Sequence, residues 1–99
     1  MKCPKTIFKN NLILYLNNKH MENLKKYNSV FAEVFSVTED QLNDLFDNKH
    51  VDVWDSVRQL SLTTAMEDAF DIMMDAEDIM GFTSYEVGKS ILSKYDILV

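Results

Sequence analysis

The chain has 99 residues, enough for one small domain that buries about 60% of its unfolded surface. Hydrophobic residues make up 46% and charged residues 26%, a usual balance for a folded domain, and two glycines with one proline argue against a turn-rich β fold. Net charge is −6 with every acid after residue 20, which disfavours nucleic acid and anionic membranes as partners and favours basic protein surfaces.

Residues 1–20 are basic and rich in asparagine, holding Lys2, Lys5, Lys9 and Lys19 and no acid. The apolar run at 12–16 is too short for a signal peptide or a membrane span, and no small-residue cleavage site follows it. The lone Cys3 excludes an internal disulfide and fits a reducing cytoplasm. This segment is expected to be a disordered or loosely attached extension, or to reflect a start assigned too far upstream, with the domain spanning residues 21–99.

From Met21 onward, Leu24, Tyr27, Phe31, Val34 and Phe35 fall at helical spacing. Thr38-Glu-Asp-Gln41 fits a capping box for a short turn through Leu42. The long connection after it is expected to anchor in the core through Leu45, Phe46, Val51 and Val53. A second long helix is predicted over residues 56–70, with Leu62, Ala65, Met66, Ala69 and Phe70 on its core side. One more short turn is predicted over 75–80. Thr83-Ser-Tyr-Glu86 fits another capping box and opens a last helix that buries Tyr85, Gly88, Ile91, Leu92 and Tyr95. The expected fold is all-α: a small antiparallel four-helix bundle of three long helices and one short one, with a long first loop.

The helix after Asp55 has a second face. Val57, Leu60, Thr64 and Glu67 gather opposite the core side, with Ser61 and Asp68 beside them. Either the first loop covers the apolar pair, or the face docks a partner. Asp55 is a good N-cap, and an Asp-Ser pair at a helix start is most often a cap alone. The chemical alternative rests on the free N–H groups and partial positive charge of a helix N-terminus, which suit a phosphate ester on Ser56. No histidine or lysine lies close in sequence to activate Ser56, so an enzyme is not expected. Asp71, Asp75, Glu77 and Asp78 lack the spacing and the glycine of a calcium loop and are expected to form a solvated acidic face. His20 and His50 have no partner at metal spacing and are expected at the surface, with no metal site.

Asp55-Ser56-Val57, followed downstream by Glu67-Asp68-Ala69-Phe70-Asp71-Ile72, resembles the acyl carrier proteins over about residues 21–96. That family consists of small acidic four-helix proteins that carry acyl groups as thioesters on a 4′-phosphopantetheine arm. Its attachment motif is Asp-Ser followed by an aliphatic residue. Its acidic helix ends in Glu-Glu-x-Phe-x-Ile or close to it, at the serine-to-phenylalanine spacing seen here. Trp54 is similar to a subgroup that carries Trp-Asp-Ser.

The resemblance implies that Ser56 bears the arm, with Asp55 beside it. It implies that Val57, Leu60, Glu67 and Asp68 face partner enzymes, and that Leu62, Met66, Phe70, Ile72 and Ile91 line the interior that shelters an acyl chain. Coenzyme A would supply the arm through a phosphopantetheinyl transferase. Other partners would be acyl-loading and acyl-processing enzymes with basic docking patches, meeting a monomeric carrier in the cytoplasm. Three positions depart from the family pattern. Arg58 stands where carriers often have an acid or a small residue, Ser61 replaces a frequent glutamate, and Val53 stands where the subgroup often has glycine. These changes make the face less acidic near Ser56 and extend the expectation from fatty acid biosynthesis to carriers dedicated to surface glycans or secondary metabolites. The alternatives are a peptidyl or aminoacyl carrier, differing in cargo, and an acidic helical adaptor with no prosthetic group.

Overall fold

The first helix has no glycine or proline to interrupt it after Pro4, and a proline is well placed at a first helical position. In the structure, a computed structural model that describes the backbone of residues 4–99 and the side chains of residues 19–99, helix α1 accordingly runs Pro4–Phe35. The change of composition at Met21 coincides with no break in α1. Residues 1–3 and the side chains of residues 4–18 lie outside the described residues, and so does the expected loose attachment of the first twenty.

A 3-10 turn at Glu39–Gln41 follows, with Thr38 N–H donating to Gln41 Oε1 at 2.9 Å. Helix α2 spans Ser56–Phe70, α3 spans Ala76–Gly81 and α4 spans Tyr85–Ser93. The described residues are thus helical with no strand, save one isolated antiparallel bridge between Asp47 and Ser84.

The structure corrects two details. Ser84, not Thr83, caps α4: it is extended by the bridge, and its Oγ accepts from Val87 N–H at 2.9 Å. Thr83 is held back because its carbonyl accepts from Asn48 N–H at 3.0 Å, while Tyr85 N–H donates to the Phe46 carbonyl at 2.8 Å. Leu45 and Val53, expected as core anchors, each lie in a turn and are 60% and 51% exposed. The loop anchors through Phe46 and Trp54, both buried, with Val51 and Leu42 half-buried behind them.

Helices α1 and α2 end on a non-glycine residue in the left-handed region, Ser36 and Asp71, and the turn that follows α4 does the same at Asp96, with φ of 57°, 53° and 64°. In each case the next N–H reaches back to close the last turn: Val37 to Ala32 O, Ile72 to Glu67 O and Ile97 to Leu92 O, all at 3.1 Å. The following residue is apolar every time and packs on the core, so each chain reversal is fixed at both ends.

The core is aromatic. Tyr27, Phe31 and Phe35 from α1 meet Phe46 and Trp54 from the loop and Phe82 and Tyr85 from the C-terminal third. Phe31 sits fully buried at the centre, with Phe35, Phe46 and Trp54 on one side and Tyr27, Phe82 and Tyr85 on the other at centroid distances of 5.0–6.2 Å. Tyr27 donates its hydroxyl to the Tyr85 carbonyl at 2.5 Å, and burial pushes its phenol far above the ordinary value, so it stays protonated. Gly88 is required here, because a Cβ on it would overlap the Tyr27 hydroxyl and the Phe82 ring. No helix among the described residues is long and apolar enough to cross a membrane.

Candidate functional site

Ser56 opens α2, and its neighbour does the capping. Asp55 is extended, and its Oδ1 accepts from Arg58 N–H at 2.8 Å. The Ser56 side chain is exposed and makes no side-chain hydrogen bond among the described residues. The start of α2 therefore combines a fixed backbone with a free hydroxyl at the positive end of a fifteen-residue helix.

Ser56 also lies at the edge of a groove of about 400 Å³. Gln59 and Leu60 line it from α2, Ile79 and Met80 from α3, and Asn48 and Thr83 close its remaining sides. Gln59 holds the groove together. Its Nε2 donates to the carbonyls of Ile79 at 3.0 Å and Met80 at 2.9 Å, satisfying the C-terminal end of α3, and its Oε1 accepts from the Trp54 indole at 3.3 Å. Trp54 is thus tied at once to the aromatic core and to the groove.

Other residues singled out in sequence sort into distinct roles. Val57 is 74% exposed and Leu60 58%, and no part of the loop covers them. A second, shallower groove of about 440 Å³ runs on from Leu60 along Ser61, Thr64, Ala65 and Asp68, so the outer face of α2 is apolar near Ser56 and acidic beyond. Glu67 is drawn away from that face: its Oε2 accepts from Met74 N–H at 2.8 Å and pins the loop after α2. Arg58 is drawn inward too. Its Nη1 donates to the Val34 carbonyl at 2.7 Å, placing a cation at the C-terminal end of α1, where the helix dipole favours it. Leu62, Met66 and Ile91 are buried in the core, and Phe70 and Ile72 are half-buried against it. None of these five borders the groove beside Ser56.

Asp78 departs from the solvated acidic face expected for it. Its side chain is buried, and it accepts from Lys94 Nζ at 2.7 Å and from the Tyr95 hydroxyl at 2.6 Å. These bonds, that from Lys94 foremost, hold its carboxyl below the usual carboxylate range. Asp71, Asp75 and Glu77 are exposed, as are His20 and His50, the latter bonded to Asp47 at 2.8 Å. Among the described residues no group of histidine, cysteine or acid side chains is placed to hold a metal ion.

Sequence reasoning missed Asn48, Gln59, Ile79, Met80 and Thr83, the walls of the groove. Gln59 carried a readable signal: it lies one helical turn beyond Ser56, so the two share a face. No protein-family model, curated protein or solved structure matches the chain.

Proposed function

We propose that the chain is an acyl carrier protein, an antiparallel four-helix bundle that is not itself an enzyme and that bears acyl intermediates as thioesters on a 4′-phosphopantetheine arm at Ser56. The observation that carries this reading is the Asp55-Ser56-Val57 tripeptide falling at the first turn of α2, with Asp55 occupied as the cap and the serine hydroxyl free beside a groove. In the attachment step the serine oxygen bonds to the pantetheine-side phosphorus of coenzyme A. The pyrophosphate bond breaks, the nucleotide leaves, and the serine proton passes to a base on the phosphopantetheinyl transferase. This explains why Ser56 needs no histidine or lysine of its own. The α2 N-terminus then lies against the phosphodiester, where its unpaired N–H groups favour negative charge.

The chain's own residues would do three things. Asp55 fixes the turn that presents Ser56. Leu60, Ile79 and Met80 give the arm and the near end of its cargo an apolar wall, while Leu62, Met66, Phe70, Ile72 and Ile91 line the interior reached if the packing opens. Val57, Leu60, Glu67 and Asp68 offer the docking face, although the bond of Glu67 to Met74 N–H makes Asp68 the freer charge. The partners would be the transferase and acyl-processing enzymes with basic patches, in the cytoplasm, in fatty acid or more specialised biosynthesis.

The test is the intact mass of the purified chain before and after incubation with coenzyme A and a broad-specificity phosphopantetheinyl transferase. A gain of one phosphopantetheine, absent in Ser56→Ala, supports the reading. No gain in a folded, initially unmodified chain overturns it and leaves an acidic adaptor whose Asp55-Ser56 pair is a helix cap.

A further inference from the structure

Helix α1 outruns the domain it belongs to. Lys19, His20, Met21 and Glu22 are successive residues, so together they face every side of the helix, and all four are exposed. Among the described residues, Asn23 is the first of α1 to be buried. The helix has therefore left the domain by residue 22, and about 28 Å of it, from Pro4 onward, lies beyond. The longest extent of the molecule is 59 Å, against 29 Å and 19 Å across it. Helical spacing carries the seated face outward along this arm. From Tyr27 and Asn23 it passes to positions 20, 16, 12, 9 and 5, which are His20, Leu16, Leu12, Lys9 and Lys5. Asn10, Asn11, Asn17 and Asn18 fall on the opposite face. Charge divides along the chain: residues 1–20 hold four lysines and no acid, and all 16 acids follow. Where α1 leaves the domain, His20, Ile97, Leu98 and Val99 edge a shallow groove of about 330 Å³, with Leu98 60% exposed. Glu22 and Asp96, their near neighbours in sequence, are exposed.

We propose that this arm joins two copies of the chain: their α1 arms pair antiparallel through Leu12 and Leu16, and each tip reaches the acidic edge of the other domain. The charge pattern selects the occupant. The basic arm of one copy and the acidic domain of the other attract, and the exchange is mutual across a twofold axis. The same pattern selects the direction. Parallel arms would set Lys5 against Lys5 and Lys9 against Lys9. Antiparallel arms carry these lysines toward Glu22 and Asp96 of the other copy. A lipid surface fits less well, because Lys5 and Lys9 share the face of Leu12 and Leu16, whereas a helix lying in a membrane keeps its lysines on the polar side. Pairing also supports an arm whose four asparagines are weak helix formers. The dimer uses no part of the groove beside Ser56 and is independent of the carrier reading; it replaces the monomer implied by the family resemblance.

Sedimentation equilibrium of the full, unmodified chain is the first test, with twice the chain mass expected. Leu12→Ala together with Leu16→Ala should weaken association at least tenfold. Alanine favours helix, so a loss of helix would not be the cause. Lys5→Glu together with Lys9→Glu should also weaken it at least tenfold. Near-ultraviolet circular dichroism of the buried Trp54 checks that the domain stays packed in both variants. Carbodiimide coupling of an equilibrated mixture of isotopically light and heavy chains should join Lys5 or Lys9 of one copy to Glu22 or Asp96 of the other. A monomeric parent, a dimer that survives both double variants, or mixed-label links confined to other acids would each overturn the proposal. A monomeric parent that floats with vesicles of phosphatidylcholine and phosphatidylserine would overturn it in favour of a lipid surface. None of these readouts uses coenzyme A, so failure here and failure of the carrier reading are separate results.

Discussion

The aromatic half of the molecule and the α3 edge are held by opposite means. Around Phe31, rings from α1, the first loop and the C-terminal third interlock, and the hydroxyls of Tyr27 and Tyr85 and the Trp54 indole are each hydrogen-bonded at its margin. At α3, six residues are fastened largely by a carboxylate, a lysine, a tyrosine hydroxyl and one glutamine amide. Apolar packing of the first kind is non-directional and yields only when the fold does. Hydrogen bonds of the second kind break one at a time, in exchange for bonds to water. Ser56 stands where the two regimes meet, with Trp54 of the core on one side and α3 on the other, joined through Gln59.

The largest effect is expected in the aromatic half. Phe31→Ala removes a fully buried ring and should cost about 3–5 kcal/mol, enough to bring a domain of this size close to unfolding. Urea titration followed by far-ultraviolet circular dichroism would measure it, and a loss below 1 kcal/mol would contradict the picture of a single aromatic centre. Gly88→Ala should come next, at roughly 1–3 kcal/mol, because the added methyl displaces the Tyr27 hydroxyl or the Phe82 ring. A neutral or stabilising alanine there would mean that α4 stands off from α1.

At the polar edge the comparison sharpens with pH. A carboxyl whose folded value is depressed contributes fully above its unfolded value, near 3.9, and loses that contribution as pH falls through the folded value. Asp78 is such a group, facing Lys94 and Tyr95 from beyond α4 and Asp75 and Glu77 from its own segment. The stability gap between the parent and Asp78→Asn should therefore narrow as pH drops below about 4. Asp47, held low by its bond to His50, acts in the same sense but is present in both chains and cancels. A gap constant from pH 7 to pH 3 would show that the Asp78 bonds do not depend on its charge.

The smallest effects lie at the site itself, where Asp55 and Ser56 should part company. Asp55→Ala loses the cap bond to Arg58 N–H and should cost about 1 kcal/mol. Ser56→Ala should stay within about 0.5 kcal/mol of the parent, since the exposed hydroxyl makes no hydrogen bond among the described residues. Equal losses in the two variants, read from the same urea curves, would mean that the serine is structural.

Local chemistry explains which parts were legible in sequence. The span of α2 could be read because Asp55 caps it and Leu62, Met66 and Phe70 recur at helical spacing up to Asp71. The start of α1 was harder to place, because a shift from basic to acidic composition at Met21 resembles a boundary although nothing there breaks a helix. The apolar character of Leu45 and Val53 points inward, but both lie in turns, and the neighbouring Phe46 and Trp54 take the core positions through ring contacts with the distant Phe31 and Phe35. The acids after α2 looked alike in sequence, and nothing local separates Asp78 from Glu77. The difference comes from Lys94 and Tyr95, sixteen and seventeen residues later. The groove was hidden for the same reason, since Asn48, Gln59, Ile79 and Thr83 meet only in three dimensions.

The most direct test of the central claim is a pair of amide nuclear magnetic resonance maps, one of the unmodified chain and one after loading with phosphopantetheine. A carrier whose arm leaves Ser56 along the groove predicts shifts over residues 56–60 and 79–83, with little change over residues 27–35 at the aromatic centre. Failure to load, or loading with shifts that leave the α3 side of the groove untouched, would contradict it.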